Sequence, residues 1–325
     1  MENNTYCQIF AFIFYTFLFL IVLKIFNTLT KGKCSTNKRL DGQVVIITGS
    51  SRGIGKCTAL DLARRGAKII IACNDITEAN EAKDEIIEIS GNKNIEAHFL
   101  DLGSFESVRK FAKNIIAKEK RLDILINNAG IASSSNKKTK DGLEIGMQVN
   151  HYGHFLLTNL LIDLLKKSTP SRIVHVASIL HLLGRLDFNN MNSEKGNNML
   201  LLYSDSKLYN VLCSNEFAKR LKGTGVTSNS VYPGAVDTNI FQPIQFTGRI
   251  LIYFLGLFVF KTPEEGAQTS IHVAVSDEGS KVSGKYFVDC KEMNFLNRPY
   301  SDEDRVKLWN KCCDLVGLKP EERLI

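Results

Sequence analysis

The chain has 325 residues, 44% hydrophobic and 23% charged, an ordinary balance that is long enough for one large α/β domain. Its net charge of +7 suits a neighbour that is an anionic membrane surface or a phosphorylated cofactor. No basic run is interleaved with aromatics and no finger or helix-turn-helix signature occurs, which argues against nucleic acid.

From Ile9 to Leu23, "IFAFIFYTFLFLIVL" carries no charge, and Ile25 and Phe26 extend it past Lys24. A spanning helix needs about 20 apolar residues, with ~17 as the lower limit, and a lysine near the end can snorkel to the interface. No Lys or Arg precedes the run and no A-x-A-like site follows, so the expectation for residues 1–27 is an uncleaved transmembrane helix and not a signal peptide. Lys31, Lys33, Lys38 and Arg39 follow it, which by the positive-inside rule keeps the remainder in the cytosol. The sequon Asn3-Asn4-Thr5 sits too close to the membrane to be used. Residues 28–42 are polar and basic and read as a linker.

Val44 to Ile47 is a short, fully apolar, β-branched run, the mark of a strand buried on both faces. It ends in "TGSSRGIG", and a helical pattern follows over Lys56 to Arg65. The alternation continues with a strand at Ala67–Cys73, a helix at Glu78–Ser90, a strand at Ile95–Leu100 and a helix at Ser104–Glu119. A strand at Ile124–Asn127 precedes one long helix at Leu143–Lys167, and a strand at Arg172–Ala177 precedes a helix at Tyr203–Leu221. Strands at Ser228–Tyr232 and Gly284–Val288 close the series. β-α alternation with right-handed crossovers predicts a doubly wound parallel sheet, a Rossmann-type α/β fold, as a single domain over residues 43–318 with a short tail at 319–325. Ile250 to Phe260, "ILIYFLGLFVF", is too short to span a membrane and reads as a core helix, a substrate lid or an interfacial segment.

Gly49, Ser51, Arg52, Gly53, Ile54 and Gly55 lie between a buried strand and a helix, the context in which glycines let backbone approach a pyrophosphate and the helix N-terminus receives it. Tyr203 and Lys207 lie four apart, on one helix face. A phenol with an ordinary pKa of about 10 is a poor acid at neutral pH, and a nearby ammonium would lower it. The eight cysteines form no C-x-x-C pair, and the histidines, among them His151, His154, His175 and His181, show no metal spacing. Both observations argue against a metal, and the cysteines read as reduced thiols facing the cytosol.

"TGSSRGIG", "NNAG" (Asn127 to Gly130), Ser178, "YSDSK" and "PGAVDT" (Pro233 to Thr238) occur in this order and resemble the short-chain dehydrogenases/reductases from about Gly42 to Leu318. "VNHYGHFLLTNLL", "KRLKGTGVTSNSVYPG" and "LWNKCCDLVGL" are similar to text of the microsomal retinol dehydrogenases/retinal reductases, which also share the anchor and the long Ser178-to-Tyr203 spacing. The resemblance implies that Tyr203 and Lys207 are catalytic, that Lys207 also holds the nicotinamide ribose, that Ser178 binds and orients the substrate oxygen, and that Asn150 holds a relay water. It further implies that Asp101 and Leu102 meet the adenine, that Asn128, Ala129 and Gly130 line the cofactor cleft, and that Pro233, Gly234 and Thr238 contact the carboxamide. Asn74 stands where the retinal reductases carry Arg, which counts against NADP(H). Arg52 in the glycine loop is the counterweight, because it can pair with a 2′-phosphate. Asp75 would favour NAD(H) if the alignment slipped by two.

The expected protein is thus a cytosol-facing, endoplasmic-reticulum-type membrane enzyme that uses NADP(H) in preference to NAD(H) on a lipophilic alcohol/carbonyl pair, retinol/retinal foremost. A steroid, fatty-aldehyde or sphingoid ketone reductase would share every catalytic residue. The rival of another class is a catalytically idle membrane-bound scaffold. The sequence is open to a homo-oligomer.

Overall fold

The structure is a computed structural model that describes residues 2–132, 137–193, 195, 198–236, 256, 260–294, 300–323 and 325, without the side chains of 2–5, 7, 9, 13, 26, 27 and 29. Eight strands form one sheet: β1 Val44–Thr48, β2 Lys68–Cys73, β3 Ile95–Phe99, β4 Ile124–Asn127, β5 Ser171–Val176, β6 Val226–Tyr232, β7 Tyr286–Val288 and β8 Lys291–Met293. Their spatial order is β3-β2-β1-β4-β5-β6-β7-β8, parallel except for the antiparallel β7–β8 pair. The order reverses direction between β1 and β4, and that switch point opens a cleft at the carboxyl ends of the strands.

The helices are α1 Glu2–Thr30, α2 Gly53–Arg64, α3 Ile76–Ser90, α4 Phe105–Lys118, α5 Ile145–Met147, α6 Gly153–Lys167, α7 Met199–Arg220, α8 Pro263–Val275, α9 Asp277–Lys281 and α10 Asp302–Leu315. Alternate strand residues serve opposite faces, as the period of two requires. Val44, Ile46, Ile70 and Ala72 join the cluster under α4, α6, α7 and α10. Val45, Ile47, Ile69 and Ile71 join the one under α2, α3 and α8. Both faces are covered, which is why these strands read as unbroken apolar runs.

Several expectations change in detail. The long helix expected over Leu143–Lys167 is α5 and α6 joined by a π-helical turn, Gln148–Tyr152, a geometry that concentrates at functional sites. α7 begins at Met199, because the Asn198 side chain caps Leu201 N at 2.9 Å. The supposed linker is helical through Thr30, and residues 31–42 then strap onto the domain. Lys31 pairs with Glu265 at 2.7 Å, Gly32 N donates to Asp289 Oδ1 at 3.1 Å, and Leu40 is buried. The tail also docks: Arg323 pairs with Asp314 at 3.0 Å, and Glu322 pairs with Arg109. Among the described residues no helix is long and apolar enough to cross a membrane, so the spanning expected of residues 1–27 is not given by the structure. Of Ile250 to Phe260, only residues 256 and 260 lie within the described set.

Candidate active site

The turn from β1 into α2 is shaped by backbone needs. Gly49 and Gly53 adopt φ +64° and +56°, the left-handed region that favours glycine. A Cβ on Gly49 would fall 2.8 Å from Ala129 Cα, so the glycine loop and the β4 loop can touch only without one. Asn128 is the brace: its Nδ2 donates to Thr48 O at 2.8 Å and Gly49 O at 3.1 Å. Thr48 Oγ1 accepts from the backbone N–H of Asn128 and of Ala129, and donates to His154 Nε2 at 2.8 Å. Asn128 is therefore a positioning residue, and Asn127 turns into the core onto Thr158.

α2 starts at Arg52 with no side-chain cap, unlike α3, α4 and α8, which Asp75, Ser104 and Thr262 cap. Its first N–H groups thus remain available to an anion. The cradle and the uncapped terminus fit the phosphates of a dinucleotide. Asp101 Oδ1 accepts from Gly103 N at 2.8 Å, and Leu102 packs its side chain into the core. Ile54 packs beneath the loop against the α2–α8 core. Asn74 is exposed just past β2. Asp75 spends its carboxylate on Thr77 N and Glu78 N at 2.9 and 3.1 Å. Glu78, which the sequence reading did not single out, meets both Ser51 Oγ at 3.2 Å and Arg52 Nη1 at 3.5 Å.

At the other end of the cleft the β5 terminus and α7 meet. Ser178 caps the turn after β5, accepting from Leu180 N at 3.2 Å, and its hydroxyl lies near enough to the Tyr203 phenol to draw its pKa down. Lys207 Nζ donates to Val176 O at 3.0 Å and lies 5.4 Å from the centre of the Tyr203 ring. Gly130 comes beside both: a Cβ there would stand 3.4 Å from Lys207 Nζ and 3.5 Å from Asn150 Oδ1. Asn150, on the π-turn, exchanges two bonds with the Ile131 backbone at 2.8 and 2.9 Å and donates to Ser206 Oγ at 3.1 Å. Its carbonyl accepts from Asn210 Nδ2 at 3.0 Å and His154 Nδ1 at 3.3 Å. Pro233 and Gly234 follow β6, and a Cβ on Gly234 would meet the Lys261 side chain at 2.7 Å. Thr238 lies outside the described residues.

The electrostatics correct one expectation. Burial pushes the Tyr203 phenol up to about 12, against the hydrogen bond from Ser178. Burial also pulls the Lys207 ammonium down to about 8. The Val176 carbonyl holds that ammonium beneath the ring, 5.4 Å from its centre, and burial dominates the phenol. His154 and His175 are driven down to about 3 by burial and are neutral. The sequence reading missed Thr48, Ser206 and Asn210. Only Asn210, four residues past Ser206 on the face of Lys207, carried any positional signal.

A doubly wound sheet, a glycine cradle at its switch point and a Tyr–Lys pair beside a serine define a nicotinamide-dependent oxidoreductase. Comparison with known proteins makes the class specific: the short chain dehydrogenase model matches residues 43–247, and the chain belongs to that family. It is 44% identical to retinol dehydrogenase 11 of Mus musculus, over 93% of this chain and 95% of that protein. It is 42% identical to retinol dehydrogenase 12 of Homo sapiens, over 95% and 97%. Among solved structures, an uncharacterized protein from Mycobacterium paratuberculosis superposes with a TM-score of 0.69 at 28% identity, covering 88% of this chain and 97% of that one. The Pseudomonas aeruginosa RhlG/NADP complex gives 0.63 at 25% identity, covering 78% and 97%.

Proposed function

We propose that this chain is a membrane-anchored, NADP(H)-dependent oxidoreductase that interconverts a lipophilic alcohol and its carbonyl, retinol and retinal being the pair. The observation that carries the reading is the convergence of Ser178, Tyr203 and Lys207 at one point of the cleft, in a chain similar throughout to retinol dehydrogenases. When bound, the nicotinamide gives or takes the hydride. In reduction, Tyr203 Oη hands its proton to the substrate oxygen, which Ser178 Oγ holds in line. Lys207 binds ribose hydroxyls through its ammonium. Asn150 locks the Ile131 loop to α7 and so keeps the floor of the cleft rigid.

Arg52 supports the choice of NADP(H), being an exposed guanidinium beside Ser51 at the uncapped α2 terminus, able to meet a 2′-phosphate. The NADP in the RhlG complex points the same way. Support for the anchor comes from α1: Phe10, Phe12, Phe14, Phe17, Phe19, Val22 and Ile25 are exposed and spread around the whole helix, as in a segment that has apolar surroundings on every side. The lysines after it favour a cytosolic catalytic domain in the endoplasmic reticulum membrane.

The test incubates membranes carrying the protein with all-trans-retinal and either NADPH or NADH. Retinol should form with NADPH, and Tyr203→Phe should lower turnover by about 10²–10⁴-fold while NADPH still binds. Turnover dominated by NADH would overturn the cofactor assignment. No retinol with either would replace retinal with a steroid or lipid ketone.

A further inference from the structure

The interior between the π-turn, α7 and α10 holds side chains that hydride transfer does not use. His151, Cys213 and Cys312 are all buried, with their ligand atoms within 4.8 Å of one another. His151 Nε2 is 3.3 Å from Cys312 Sγ and 3.8 Å from Cys213 Sγ. Tetrahedral zinc, with nitrogen at ~2.0 Å and thiolates at ~2.3 Å, sets N···S edges of about 3.5 Å. The two observed distances bracket that edge, so a cation fits among the three atoms with small side-chain shifts.

The imidazole is already oriented. Asn210 Nδ2 is committed to the Asn150 carbonyl, which leaves Asn210 Oδ1 to accept from His151 Nδ1 at 2.8 Å. Nε2 therefore presents its lone pair to the two sulfurs, supported from outside as ligating histidines are. Two thiolates cancel a divalent cation, a neutral arrangement suited to a core that also holds Phe155, Phe217 and Trp309.

We propose that His151, Cys213 and Cys312 form a buried structural site for one zinc(II) ion that ties α10 to α7 and the π-turn. Two thiol protons leave to solvent as two metal–sulfur bonds form, and no oxidant is needed. Purified full chain, stripped with a chelator, is titrated with zinc(II) and with cadmium(II). One equivalent should bind, cadmium should show a thiolate charge-transfer absorption, and the melting temperature should rise. Cys213→Ala and Cys312→Ala should abolish the absorption, whereas Cys313→Ala, outside the cluster, should keep it. X-ray absorption of the zinc-loaded native chain requires no variant to fold, and two sulfurs in the first shell are expected. A shell of nitrogen and oxygen alone, failure to take up one equivalent, or a thiolate band that survives both substitutions overturns the site.

Discussion

Tyr203 and Lys207 stand one turn apart on α7, and burial moves their protons in opposite directions, the phenol up to about 12 and the ammonium down to about 8. For Lys207 the consequence has a definite sign. Between pH 8 and its ordinary 10.5 the unfolded chain keeps a proton that the folded chain has lost. The contribution of this group to stability therefore rises with pH across that window, and is lost as pH falls through about 8. Cofactor binding runs the other way, because the ammonium is the binding form. NADPH affinity, followed by fluorescence titration, should fall about tenfold from pH 7 to pH 9. The Lys207→Met variant should bind weakly with no such slope. An equal slope in that variant would assign the titration elsewhere. Tyr203 and Lys207 were legible as a pair from their spacing. Where the ammonium points was not, because it depends on the Val176 carbonyl, 31 residues away.

The turns around the cofactor cleft show how an element's own needs decide what its residues are free to do. Asp75 could have been read as an acid for ribose hydroxyls, but α3 uses its carboxylate as an N-cap. Asp75→Ala should destabilise the domain by about 1 kcal/mol in urea unfolding and leave the NADPH/NADH preference unchanged. α2 has no such cap, and its flank carries Arg52 held beside Glu78. Arg52→Ala should raise the KM for NADPH by roughly tenfold, the loss of one charge-assisted bond, with little change for NADH. Equal effects on both cofactors would remove Arg52 from phosphate recognition. Capping boxes at Thr262–Glu265 and Ser301–Asp304 open α8 and α10, two helices the sequence analysis did not assign. β8 offers no such mark, since Lys291–Met293 has neither alternation nor a buried face and pairs only because β7 lies beside it.

Across the whole molecule, α1 and the strap behind it play different parts. α1 contributes exposed apolar side chains, whereas residues 31–42 contribute buried contacts: Leu40 in the core, Cys34 N on Gln268 at 3.1 Å, and Lys31 on Glu265. Deleting residues 1–27 should shift the protein from the membrane pellet to the supernatant with NADPH-dependent turnover retained. Deleting through residue 39 and changing Leu40→Ala should cost a further ~2–4 kcal/mol, measured by denaturant unfolding. Retention of the shorter deletion in the pellet would sink the anchor reading. Equal stability of the two would sink the strap.

The sequence by itself determined the doubly wound sheet, the dinucleotide cradle and the Tyr–Lys pair, because each is written in neighbouring residues. Buried parallel strands are continuous apolar runs, a positive-φ turn needs glycine, and one helical turn separates Tyr203 from Lys207. Only the tertiary structure decided which side chains meet across the chain. Asn128 braces the loop 80 residues before it, and His151 gathers sulfurs 62 and 161 residues away. Spacing along the chain cannot report such contacts, since the pairing of β1 beside β4 creates the first and the packing of the π-turn, α7 and α10 creates the second.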